Sequence, residues 1–154
     1  MSVLAAIDID HEPERPLSVA YDIATAFDET LIVMYVMPQQ KYIEEMTRGE
    51  ERGDVFNPQD FSIEQAVEYA TEQLRETIDD VLGRSRHVPI EPHARVGTPA
   101  DEMLEAAESL EPRLVVVGGR RRSPARQALF GSVSHAIVRG AEQPVVTVME
   151  ANGS

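Results

Sequence analysis

Five short apolar runs separated by stretches of helical period confine this chain to an α/β architecture built on a mostly parallel sheet. The runs cover residues 3–7, 31–36, 90–96, 114–117 and 145–149. Their continuity, as in Leu114-Val115-Val116-Val117, marks strands covered by helices on both faces. Between the first two runs, Leu17, Ala20, Ala24 and Phe27 recur on one helical face, and Pro16 sits where a first-turn proline is tolerated. A longer face follows the second run: Ile63, Ala66, Val67, Ala70, Leu74, Ile78 and Val81. Ser62 and Gln65 have the spacing of a capping box in front of it, and Gly83 stops it. Thr98-Pro99 opens a third helix that continues through Met103, Leu104 and Ala107. A fourth runs from about Ser132 to Arg139 and closes at Gly140. Residues 38–60 are polar, carry Gly49, Gly53 and Pro58, and hold no sustained period beyond a short turn near 42–46; they read as a mobile loop or lid.

At 154 residues, with no second composition regime and no internal repeat, the expectation is one domain over residues 1–150 and a frayed tail over 151–154. The chain holds no cysteine, which excludes disulfides, thiolate-bound zinc and a thiol nucleophile, and permits a reducing compartment. Met1-Ser2-Val3-Leu4 has no basic segment, and no apolar run approaches the ~18 residues that a membrane span needs. A cytoplasmic protein without membrane contact is expected.

A net charge of −13 repels polyanions, so neither nucleic acid nor an anionic membrane is an expected partner, and any anion site must be local. Lys41 is the single lysine; the other positive residues are arginines. An acidic, lysine-poor chain suits a halophilic cytoplasm, because at 1 M salt a Debye length of ~3 Å screens self-repulsion. A high-GC genome would also favour arginine over lysine.

In an open parallel sheet, ligands gather at the carboxyl ends of the strands. After the fourth run comes Gly118-Gly119-Arg120-Arg121-Arg122-Ser123-Pro124-Ala125-Arg126, then Gly131-Ser132-Val133-Ser134 opening a helix. Glycines permit close backbone approach, a helix start offers unpaired N–H groups, Ser132 adds a hydroxyl, and arginines present forked donors. These are the parts of a phosphate cradle. They are equally the parts of a solvated turn in which Ser132 caps a helix and the two glycines allow packing. A P-loop is excluded, since it needs a lysine after its last glycine and Lys41 lies elsewhere. A Rossmann fingerprint fails as well, because Ile7-Asp8-Ile9-Asp10 contains no glycine. Asp8 and Asp10 form a carboxylate pair, but hydrated Mg²⁺ travels with nucleotide phosphates and uses few carboxylates, so no protein metal site is assigned. The four histidines lack metal-type spacing, and His135 reads as a helix-surface residue rather than a catalytic base.

Val115-Val116-Val117-Gly118-Gly119-Arg120-Arg121, Gly131-Ser132-Val133-Ser134 and Pro144-Val145-Val146-Thr147-Val148 resemble the C-terminal signature of universal stress proteins. That family's nucleotide motif is Gly, two residues, Gly, nine residues, Gly, then Ser or Thr. Gly118, Gly131 and Ser132 match it, and Arg121 stands where the second glycine belongs. Residues 3–8, 31–36 and 96–104 resemble the family's first strand, second strand and third-strand-to-helix turn. The resemblance implies a doubly wound, flavodoxin-like sheet of five parallel strands with helices on both faces, and homodimers joined through the last strand. It implies ATP or a related adenine nucleotide as ligand, with Mg²⁺ carried by the phosphates. Asp8 and the main chain near Val36 would border the base. Gly118, Gly119, Arg120, Arg121, Arg122, Gly131, Ser132, Val133 and Ser134 would hold the phosphates. Since 145–149 is apolar on both alternations, a bare edge there would invite aggregation, which agrees with pairing to a second copy. The resulting expectation is a stress-response regulatory or interaction protein with no assigned catalytic residue. Two alternatives stand beside it: a slow ATP hydrolase, and a dimeric module that has lost its nucleotide through Arg121.

Overall fold

Strand β1 (Ser2–Ala6) lies at the centre of a five-stranded parallel sheet, because the strands that follow it in the chain are added on both sides of it. In the computed structural model, which describes residues 1–51, 62–122, 127–129 and 132–149, β1 pairs on one side with β2 (Thr30–Met37) and on the other with β4 (Leu114–Arg122). Strand β3 (Ile90–Val96) extends the sheet beyond β2, and β6 (Val145–Met149) extends it beyond β4. The order is therefore β3-β2-β1-β4-β6, parallel throughout. A three-residue strand, β5 (Gln127–Leu129), pairs antiparallel with the far end of β4 outside this sheet.

The two-residue strand period divides the core between the faces of the sheet. Val3, Ala5, Leu31, Val33 and Val116 pack under α1 (Glu14–Phe27) and α3 (Ile63–Leu82), which contribute Leu17, Ala20, Ala24, Ala66, Ala70, Leu74 and Ile78. Leu4, Ile32, Met34, Val115 and Val117 pack on the other face under α4 (Pro99–Leu110) and α5 (Ser132–Gly140), which contribute Met103, Ala106, Ala107 and Ile137. The expected burial on both faces is realised in β1, β2 and residues 115–117 of β4, whereas the outer strands β3 and β6 are only partly buried. Helices α1, α3 and α4 set alanines among larger apolar side chains against the sheet.

Local signals account for the helix ends. The Ser62 hydroxyl accepts the Gln65 N–H, and Gly83, at φ +71°, closes α3 with its own N–H bonded to the Asp79 carbonyl. Pro99 occupies the first turn of α4 behind Thr98, whose side chain makes no capping bond. Two apolar residues expected on buried faces are exposed. Ile63 is exposed at the start of α3, and Phe27 is half exposed at the end of α1, where the Arg113 guanidinium stacks 4.4 Å from its ring centroid.

Two expectations are corrected. The segment read as a loop from residue 38 is helical over α2 (Gln39–Glu51), since Tyr42 is buried against the α3 side of the sheet and its ring meets Tyr69 edge-on at 5.8 Å. The stretch following Val117 is not loop either: β4 continues to Arg122, and the ribbon with β5 satisfies backbone groups that a loop would leave to solvent. The remainder of the expected lid, residues 52–60, and the expected tail at 151–154 lie outside the described residues. No helix among the described residues is long and apolar enough to cross a membrane.

Candidate functional site at the carboxyl edge of the sheet

The chain builds outward from β1 to β2 and β3, then returns across to β4 and β6, so the topological switch falls between β1 and β4. Loops leaving the carboxyl ends of those two strands diverge to opposite faces and leave a crevice. The register pairs Ala6 with Val117, so the chain leaves β1 through Ile7 and Asp8 at the same edge where β4 continues into Gly118 and Gly119. Asp8 follows β1 at this edge, and Gly118 of β4 is tied there to the start of α5 through Ser134.

Asp8 is more than half exposed and terminates β1 with a turn: its Oδ1 accepts the Asp10 N–H at 3.0 Å, and its Oδ2 lies 3.2 Å from His11 Nδ1. The Val36 side chain is buried on the α4 side, so only the main chain of β2 is available to a ligand at that point. Gly118 and Gly119 are extended strand residues, paired in register with Val148 and Met149 of β6. A Cβ on Gly118 would lie 3.2 Å from Pro16 Cγ in the first turn of α1, and one on Gly119 would lie 2.7 Å from Met149 Sδ. Neighbouring protein thus crowds both positions, through a proline ring at Gly118 and the end of a methionine side chain at Gly119. Arg120, Arg121 and Arg122 pair through the backbone with Leu129, Ala128 and Gln127. The Ser123-Pro124 dipeptide between the two strands is the turn-type signal that could have revealed this hairpin in the sequence.

Ser132 opens α5, and Val133 packs against the α4 side of the core. The Ser134 hydroxyl donates to the Gly118 carbonyl at 2.7 Å, which ties the start of the helix to the end of the strand. Gly131 lies outside the described residues. His135 is exposed on α5. No cluster of three or more metal-type ligands occurs among the described residues.

Sequence reasoning missed what α2 brings to this edge. The Lys41 ammonium donates to the Asp10 carboxylate and, at 2.8 Å, to the Tyr35 hydroxyl of β2, with Glu45 one turn further along at 3.9 Å. Tyr69 of α3 donates to Glu45. Burial works against the charge on Lys41, but the bonds to Asp10 and Tyr35 outweigh it and raise the pKa of the ammonium. Burial also raises the Tyr35 phenol, against the opposing pull of Lys41. For Tyr69, burial and the bond to Glu45 act together and push the phenol up to about 12. The signal available in the sequence was Lys41 itself, a lone ammonium among arginines. A hollow of about 320 Å³ lies away from this edge, between α3 and the amino end of β3, lined by Arg75, Ile78, Asp79, Arg86, Ile90 and Pro92.

The model of the universal stress protein family matches residues 1–149. The chain belongs to the universal stress protein family. It is 25% identical to universal stress protein MJ0531 of Methanocaldococcus jannaschii over 131 residues, covering 84% of this chain and 70% of that relative. Among solved structures it resembles a universal stress protein in complex with cAMP, at a TM-score of 0.62 and 22% identity over 97% of this chain and 96% of the other. It also resembles a family protein from Arabidopsis thaliana with AMP bound, at a TM-score of 0.58 and 17% identity over 99% and 93% of the two chains. At these identities the two structures establish the shared fold, with the five-stranded parallel sheet that the sequence led one to expect.

Proposed function

We propose that this universal stress protein binds an adenine nucleotide, ATP or a relative of it, in the crevice between β1 and β4 and uses it as a regulatory signal in a cytoplasmic stress response. The observation that carries the reading is the topological switch, which gathers Asp8, Gly118, Gly119 and the start of α5 at one edge of the sheet. Asp8 and the main chain near Val36 border the base in this reading. The start of α5, with Gly131, Ser132, Val133 and Ser134, takes a phosphate, because helix N-termini present unpaired N–H groups and a positive dipole end. Arg120, Arg121 and Arg122 add cationic charge in a chain that otherwise repels anions. Mg²⁺, where present, arrives on the phosphates. Solved relatives carrying cAMP and AMP support the ligand class.

One observation favours a second reading. Arg121, at the position of the motif's second glycine, is paired with Ala128 in the ribbon, so its backbone is already committed. A module that works through protein contacts alone, without nucleotide, would tolerate this arrangement. Calorimetry with ATP, AMP and cAMP, with and without Mg²⁺, separates the two. Saturable heat for at least one nucleotide is the expected outcome. Silence for all three, on protein shown to be folded, would leave the nucleotide-free module. The same reading has homodimers forming through β6, whose outer edge is open.

A further inference from the structure

Lys41 is placed where four elements meet. Its ammonium reaches the β1–α1 loop through Asp10, β2 through the Tyr35 hydroxyl, and Glu45 on its own helix, which in turn accepts from Tyr69 of α3. The Lys41 side chain is only 22% exposed, whereas Asp10 is 51% exposed, so the lysine is the seated partner and the loop is fastened to it. Asp10 is also one bond from Asp8, whose Oδ1 accepts its N–H. A continuous path therefore runs from α2 to the residue that ends β1. The chemistry calls for a lysine: three tetrahedral donors on a compact charge can serve a carboxylate, a phenol and a second carboxylate at once, which the planar fork of an arginine cannot do from one point. In a chain that otherwise uses arginine for every cation, this is the one site that departs from the rule.

We infer that Lys41 is a positioning residue of the carboxyl-edge site: it locks the β1–α1 loop to α2, so that loop and helix open and close as one unit and hold Asp8 in register with the base. The locking stands on geometry alone; the effect on Asp8 rests on the nucleotide reading given above. The Lys41–Asp10 pair is the charged contact that joins α2 to that loop, so losing the ammonium loosens both segments.

Two variants test this on the intact chain. Lys41→Met keeps the stem and removes the donors, and Asp10→Asn removes the opposing charge while leaving Lys41 in place. Amide hydrogen exchange should accelerate on the order of tenfold in residues 8–12 and 39–51 together in each variant, with β1, β2 and β4 unchanged. Acceleration in one segment only, in neither, or across the whole sheet would overturn the lock. Calorimetry with AMP and GMP supplies the second readout. Both variants should weaken AMP by about fivefold or more and GMP by less, lowering base discrimination. An equal loss for both nucleotides would reduce Lys41 to a structural part. If the unaltered protein binds neither, the nucleotide reading and the role of Asp8 fall, while the exchange experiment still decides whether Lys41 couples loop and helix.

Discussion

Glycine in a strand commonly marks close approach of something to the backbone, and at Gly118 and Gly119 that something is protein. Gly118 lets β4 pass the first turn of α1 at Pro16, and Gly119 makes room for the Met149 thioether on β6. At Gly118 a site motif and a packing contact thus share one residue. Gly119→Ala would drive a methyl to 2.7 Å from Met149 Sδ, but a methionine side chain can move aside. The expected destabilisation is about 1 kcal/mol, at the low end for overpacking, or about 2–4 °C in the melting temperature of a chain of this size. A melting curve identical to that of the unaltered protein would show that β6 does not need the glycine.

At the scale of elements, α2 is the piece whose stability comes from elsewhere. Its sequence offers Tyr42, Ile43 and Met46 as a short apolar stripe among Glu, Gln and Arg, too little to fold alone. Tyr42 against Tyr69, Tyr69 to Glu45, and Lys41 to Tyr35 and Asp10 secure it to the body. The tyrosines make this attachment sensitive to alkali. Tyr69 holds its proton up to about 12, above the ordinary value near 10, so its contribution is complete below pH ~10 and is lost as pH rises through the folded value. Tyr35 is shifted in the same direction. An ultraviolet titration should therefore place the Tyr35 and Tyr69 phenols above pH ~10, with part of the helical circular dichroism lost in the same window. Ionisation of Tyr35 and Tyr69 near pH ~10, before any loss of helix, would refute the coupling.

For the whole molecule the two sheet edges differ. Strand β3 carries Pro92, which has no N–H to offer a neighbour, whereas β6 has no proline and exposes part of Val145, Val146, Thr147 and Met149. The proposed dimer uses β6 for this reason. Sedimentation at micromolar concentration should give twice the chain mass of 17.1 kDa. Because each copy carries −13, association should strengthen as KCl approaches 1 M and the Debye length falls to ~3 Å. A chain mass that stays at the monomer value in both salts would remove β6 as an interface.

Periodicity and end signals were sufficient to determine the sheet class and most elements. The runs at 90–96 and 145–149 coincide with β3 and β6, and Ser62 and Gly83 bracket α3. These features are written in neighbouring residues, where side-chain spacing and caps act directly on the backbone. Tertiary structure alone decided that α2 is a helix, that β4 runs on to Arg122, that Phe27 remains exposed, and that Gly118 and Gly119 are held by α1 and β6. In each case the deciding partner is remote in the chain: Asp10 for Lys41, Tyr69 for Glu45, Arg113 for Phe27, Met149 for Gly119. A local pattern cannot encode a contact whose other half is supplied only when the sheet has brought it there.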